Sequence, residues 1–256
     1  MKIDWHVHST FSDGADTVIA LLEKAQSLRL ESIAITDHFD PHDKELVNRA
    51  ATEKDILKHF ESIRALAASY PFEVFCGIET CSDANGTLLI DNNVLQCADI
   101  VITSPHYIEY EGQLTQGELM NDAFWAAYKQ KVLKMAAGPG DVLGHAEAYL
   151  PFKPMLPPIS TFEERLQFSR EIVDTYFDEE YIHLLGQALL SSGKAYELHG
   201  MSNSPRLWVI QHLHKMGVSF SIGSDAHSAS NLGCNRRAWQ IAEEMQLKIK
   251  YPKHRF

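Results

Sequence analysis

Seven short apolar runs punctuate this chain, and each runs out at histidines or carboxylates. They read KIDWHVH over 2–8, ESIAITDH over 31–38, FEVFCGIE over 72–79, ADIVITSPH over 98–106, GDVLGH over 140–145, KAYELHG over 194–200 and GVSFSIGSDAH over 217–227. Runs of this length, bounded by turn residues, predict buried strands. Between them the apolar spacing turns helical: 17–28 (Val18, Leu21, Leu22, Ala25, Leu28), 55–70, a long helix over 115–137, a helical region over 161–191, then 205–217 and 235–245. Residues 81–96 are the least regular, with room for a hairpin or a short helix. Strands alternating with helices imply an α/β fold with a parallel sheet, because parallel neighbours need long crossovers. No linker or low-complexity segment interrupts the pattern, so one domain over 1–256 is expected.

A doubly wound open sheet and a closed barrel both satisfy that alternation. The polar strand ends separate them. An open sheet spreads its strand ends along an edge, whereas a barrel gathers all of them around one mouth, where such folds place their sites. Polar ends on all seven strands favour a distorted, TIM-like (β/α)7 barrel with a site at the C-terminal mouth.

His6 and His8 are two apart, so both point to one face of the first strand. An isolated His-x-His is also ordinary chemistry for a solvated strand end. With His38, Glu79, His106, His145, Asp225 and His227 on the other strand ends, a shared metal site is the better account. Mixed imidazole and carboxylate ligands without cysteine suit Zn²⁺, Mn²⁺ or Fe rather than Ca²⁺. Cys76, Cys81, Cys97 and Cys234 form no C-x-x-C pair and read as free thiols of a cytoplasmic protein. No membrane partner is expected, since no apolar stretch approaches the length of a span. The formal net charge of −11, without a Lys/Arg-rich run, disfavours long nucleic acid.

HVHSTFSDG, TDH, GIE, SPH, GHAE and GSDAH, in this order, resemble the polymerase and histidinol phosphatase (PHP) superfamily, and the layout is most similar to its histidinol-phosphatase-like branch. The resemblance implies three divalent transition metals. One would take His6, His8, Glu79 and Asp225. A second would share Glu79 and add His106 and His145. A third would take His38 and His227, with Asp13 from the first loop, where some relatives carry a histidine. Two cations bridged by Glu79 would activate water, and the natural reaction is hydrolysis of a phosphate ester. The leaving oxygen would take its proton from a metal-bound water, Asp225 or His199.

Around this set, Asp37 and Glu197 are either supports of ligand imidazoles or plain turn and barrel-mouth residues. His42, His199 and Arg206 are candidate substrate contacts, Arg206 through a cation at a helix start. His59, His183, His212 and His214 lie on helices and are expected on the surface. The short HGMSNSPR departs from the longer glycine- and arginine-containing loop common in histidinol-phosphatase-like relatives. The expected activity is metal-dependent hydrolysis of a small phosphorylated metabolite, with histidinol phosphate as first candidate. The alternatives are a PHP-type nucleotide phosphodiesterase or exonuclease, and a non-catalytic metal-binding regulatory domain.

Overall fold

The strands lie side by side in chain order. The computed structural model describes residues 2–40 and 51–255. Its single sheet runs β1 (Ile3–Asp4), β2 (Ser32–Ile35), β3 (Glu73–Thr80), β4 (Ile100–Thr103), β5 (Val142–Leu143), β6 (Ala195–His199) and β7 (Phe220–Gly223). Every neighbouring pair is parallel. Trp5 N–H donates to Ile222 C=O at 2.9 Å, Asp225 N–H to His6 C=O at 2.8 Å, and His8 N–H to Ala226 C=O at 2.9 Å. These bonds join the last strand to the first and close the sheet into the expected barrel. β2, β4 and β7 are buried throughout, as strands covered by helices on one side and by the barrel interior on the other must be.

The crossovers are α1 (Val18–Leu28), α2 (Glu53–Ala67), α3 (Asn92–Cys97), α4 (Asp122–Ala137), α5 (Phe162–Tyr176), α6 (Glu179–Ser192), α7 (Leu207–Met216) and α8 (Arg236–Glu244). Their starts follow local chemistry. Thr52 with Asp55, and Thr161 with Glu164, form capping boxes that satisfy the first amides of α2 and α5. One apolar body packs Leu21, Leu22, Ile56 and Phe60 of α1 and α2 against the first strands. A larger one packs Trp125, Tyr128, Ile172, Phe177 and Leu185 against the later strands.

Three boundaries differ from the sequence pattern. The long helix begins at Asp122 rather than at 115, because the Asn121 side chain accepts from Phe124 N–H and caps it there. The region 161–191 is two helices, since Asp178 caps α6 through Tyr181 N–H. The first strand contributes only Ile3–Asp4 to the β2 ladder, while Trp5, His6 and His8 bond across the seam to the β7 side. No helix among the described residues is long and apolar enough to cross a membrane.

Candidate metal centre

Glu79, near the end of β3, is the hub of the mouth and is only 1% exposed. Its Oε1 faces His145 Nε2 at 2.8 Å and His106 Nε2 at 3.2 Å. Its Oε2 faces His38 Nδ1 at 3.1 Å, His6 Nε2 at 3.3 Å and His8 Nε2 at 3.4 Å. One carboxylate thus presents its two oxygens to two sets of imidazoles. Asp225, just past β7, brings Oδ1 to 3.0 Å from His8 Nε2 and 3.5 Å from His6 Nε2, and Oδ2 to 3.2 Å from His199 Nε2. Asp13 Oδ2 lies 3.2 Å from His227 Nε2 and 3.7 Å from His38 Nε2.

These contacts resolve into three groups whose ligand atoms lie within 4.8 Å of one another: His6, His8, Glu79 and Asp225; His38, Glu79 and His106; and His8, Asp13, His38 and His227. Buried His6 Nε2, His8 Nδ1 and Nε2, His38 Nδ1 and Asp225 Oδ1 have no hydrogen-bond partner among the described residues. Buried polar atoms are costly in that state, and short N···O distances without hydrogen-bond geometry suit donors arranged around cations. The residues therefore fit a metal centre, and the donor set is of the kind Zn²⁺, Mn²⁺ and Fe accept. His145 joins through Glu79 rather than through a group of its own.

Electrostatics agree. Burial alone would raise the Glu79 carboxyl, but the neighbouring imidazoles, His6 and then His106 foremost, outweigh it and hold it well below the usual range. Burial pulls His38 down to about 3 against the attraction of Glu79, with His8 and His106 adding to the fall, so its ring is a neutral lone-pair donor.

A supporting layer orients these groups. Glu197 on β6 accepts from His6 Nδ1 at 2.6 Å and from His145 N–H at 2.7 Å. That fixes the His6 proton on Nδ1 and turns Nε2 toward the cluster. Gly223 permits this closeness, since a Cβ there would lie 2.3 Å from His6 Cβ and 2.6 Å from Glu197 Oε1. Asp37 accepts from Ser9 N–H and Oγ, both at 2.7 Å, from Ser12 Oγ at 2.6 Å and from His59 Nε2 at 2.8 Å. It thereby fixes the loop that carries Asp13. His59, expected on the surface, faces inward to this carboxylate and stacks on Phe11 at 4.1 Å.

The cluster floors a cavity of about 690 Å³, walled by Pro105, Tyr107, Leu150 and Phe152, with Tyr149 and Arg165 at one side. His199, the last residue of β6, is buried beside Asp225. Arg206 does not reach this cavity. Its guanidinium is engaged by Glu147 at 3.0 Å, Asp174 at 2.9 Å and Phe177 C=O at 2.9 Å. Arg165 is the cation at the mouth instead, and only its helical position, one crossover after GHAE, could have flagged it. His42 lies outside the described residues.

The model of the PHP domain matches residues 4–187. A probable histidinol-phosphatase of Thermotoga maritima is 24% identical over 233 residues, 90% of this chain and 86% of its own length. The DNA polymerase/3'-5' exonuclease PolX of Bacillus subtilis is 36% identical over 107 residues, 41% of this chain but only 18% of its own length. Among solved structures, the histidinol phosphate phosphatase of Lactococcus lactis, in complex with zinc, L-histidinol and phosphate, aligns with a TM-score of 0.68 at 19% identity, covering 99% of this chain and 97% of that one. A putative histidinol phosphatase of Listeria monocytogenes aligns at 0.63 and 14% identity, covering 93% and 100%. At these identities the structural likeness concerns the fold, a (β/α)7 TIM-like barrel. The family match spans most of the chain and includes Glu79 with the histidines that face it, and on that basis the chain belongs to the PHP domain family.

Proposed function

We propose that this chain is a metal-dependent phosphoesterase that hydrolyses a small phosphate monoester. The observation that carries the reading is Glu79, whose two oxygens face two imidazole sets on the floor of a cavity of small-molecule size. His6, His8, Glu79 and Asp225 would hold one cation, Glu79, His106 and His145 a second, and Asp13, His38 and His227 a third. When bound, the cations supply positive charge against the phosphate oxygens and lower the pKa of a water.

The chain's own groups do the rest. Glu197 keeps the His6 proton away from the cluster. Ser202 holds His199 Nδ1, with its Oγ at 2.7 Å, and so turns His199 Nε2 toward Asp225 Oδ2 at 3.2 Å. Pro105, Tyr107, Leu150 and Phe152 give the cavity an apolar wall for the organic part of an ester. Histidinol phosphate is the first substrate to test, supported by the likeness to histidinol phosphatases. The 36% identity to part of the Bacillus subtilis exonuclease favours a nucleotide phosphodiester as the second.

The test is kcat/KM of the Mn²⁺- or Zn²⁺-loaded protein on histidinol phosphate, nucleoside monophosphates, an aryl phosphate and single-stranded DNA. Phosphate release from a monoester is expected to dominate. Efficient nucleotide release from DNA with only trace monoester hydrolysis would overturn the monoesterase reading.

A further inference from the structure

The alcohol of a phosphoester leaves as an alkoxide unless something meets its oxygen, and the mouth holds a side chain placed to do so, a role that rests on the phosphoesterase reading. Tyr149 is on the segment that leaves β5, four residues after His145. Its backbone lies in the left-handed region, at φ 58°. For a bulky side chain that is a true outlier, of the kind that persists only when its surroundings over-determine it.

The surroundings are on α5. The Arg165 guanidinium donates to the carbonyls of Tyr149 and Pro151. One turn on, Ser169 Oγ accepts from Leu150 N–H at 3.0 Å and donates to Leu150 C=O at 2.7 Å. This clamp aims the phenol at the cluster, with its ring centre 5.3 Å from that of His145 and 5.2 Å from that of His199. The ring lines the mouth cavity beside Glu79 and Asp225.

The Tyr149 hydroxyl oxygen lies 3.4 Å from His199 Nε2, and the same hydroxyl faces the Asp225 carboxylate. Its O–H is thus held among the groups that surround the cluster, within a turn of the side chain from Asp225 to an oxygen bound in the cavity.

We propose that Tyr149 is a catalytic residue whose O–H donates a hydrogen bond to the ester oxygen as it leaves phosphorus. A water oxygen forms the new bond to phosphorus, and the ester P–O bond breaks with its electron pair on the ester oxygen. One of the water's protons ends on the alcohol and the other on the phosphate, while Tyr149 keeps its own. The donor matters most for a basic leaving group, where most negative charge builds on that oxygen.

Tyr149→Phe keeps the ring and removes only the donor. The loaded variant and parent are compared on an alkyl and an aryl phosphate, with metal content, circular dichroism and orthovanadate affinity measured alongside. Expected is a fall in kcat of about a hundredfold on the alkyl ester, on the scale of one lost oxyanion donor. The aryl ester should lose about tenfold or less, with KM changed by less than about threefold. Metal content should be unchanged and orthovanadate binding about tenfold weaker. Equal losses on both esters, or loss of metal, would make Tyr149 a support of Asp225 and overturn the proposal. So would kcat values matching the parent on both. A parent that hydrolyses no monoester fails the phosphoesterase reading itself, and this role with it.

Discussion

Replacing Arg206 with methionine isolates a buried charge and separates two accounts of that residue. Glu147 is 5% exposed and is held by Arg206 alone among cationic side chains of the described residues, through Arg206 N–H at 2.9 Å, Nε at 3.3 Å and a terminal guanidinium nitrogen at 3.0 Å. Breaking a buried pair from one side costs about 3–5 kcal/mol, because the remaining charge is left in a poor dielectric. The contact with Asp174, which is 67% exposed, adds under about 1 kcal/mol. For a chain of this size each kcal/mol is worth roughly 2–4 °C in Tm, so Arg206→Met should melt roughly 6–20 °C lower.

The deficit has a pH signature. Burial raises the Glu147 carboxyl, and Arg206 is what opposes the rise. Without the guanidinium the folded pKa climbs further above the unfolded value. A group raised in this way favours folding at low pH, and that contribution is lost as pH rises through its folded pKa. The variant should therefore recover stability relative to wild type as pH falls from about 8 toward about 5. Urea unfolding at several pH values measures this, and Glu147→Leu combined with Arg206→Met should regain most of the loss. A variant with wild-type stability but a KM raised about tenfold or more on the active substrate would refute this account and place Arg206 on the substrate.

Three further outcomes follow from the site and its surroundings. Glu79→Gln should lower activity by about a hundredfold or more while the circular dichroism spectrum stays native, since an amide bridges cations badly; near-parental turnover would contradict a bridging hub. Glu197→Gln cannot accept from both His6 Nδ1 and His145 N–H, and should weaken metal affinity about 10–100-fold by chelator competition; unchanged affinity would remove Glu197 from the supporting layer. Burial pulls Lys194 down to about 7, below its unfolded value, so the unfolded chain binds the extra proton between about pH 7 and 10 and wild-type stability should rise across that window. The rise relative to Lys194→Met should approach about 4 kcal/mol at most, trimmed by three oxygens at 2.6–2.9 Å that favour the ammonium; parallel pH profiles would refute it.

Much of the barrel was legible because parallel strands carry their signal locally. β2, β4 and β7 are short apolar runs ending at polar residues, and their period needs no partner to be read. Helix starts were harder. Residues 115–120 are compatible with the helix after them, and only Asn121 turning its side chain to Phe124 N–H marks the true start. At the site, the residues that converge on Glu79 lie at strand ends and were visible as motifs. Tyr149 and Arg165 were not. Tyr149 acts from a left-handed backbone held by a helix 16 residues away, and Arg165 is one polar residue among several in an amphipathic helix. Arg206 misled for the converse reason. A cation at a helix start reads as an anion site, and the buried acid that claims it, Glu147, is distant in sequence.

The order of strands has a kinetic meaning. Every strand pairs with a neighbour one crossover away, so most of the sheet zips up through loops of modest length. The exception is the seam between β1 and β7, where His6 meets Asp225 across a loop of over two hundred residues. That closure carries the largest chain-entropy cost in the sheet and should come late in folding. His6 and His8 stand on one side of it and Asp225 and His227 on the other. The cluster is thus a reporter of the last event: warming or mild urea that parts the seam should abolish activity while the helices still give their full signal.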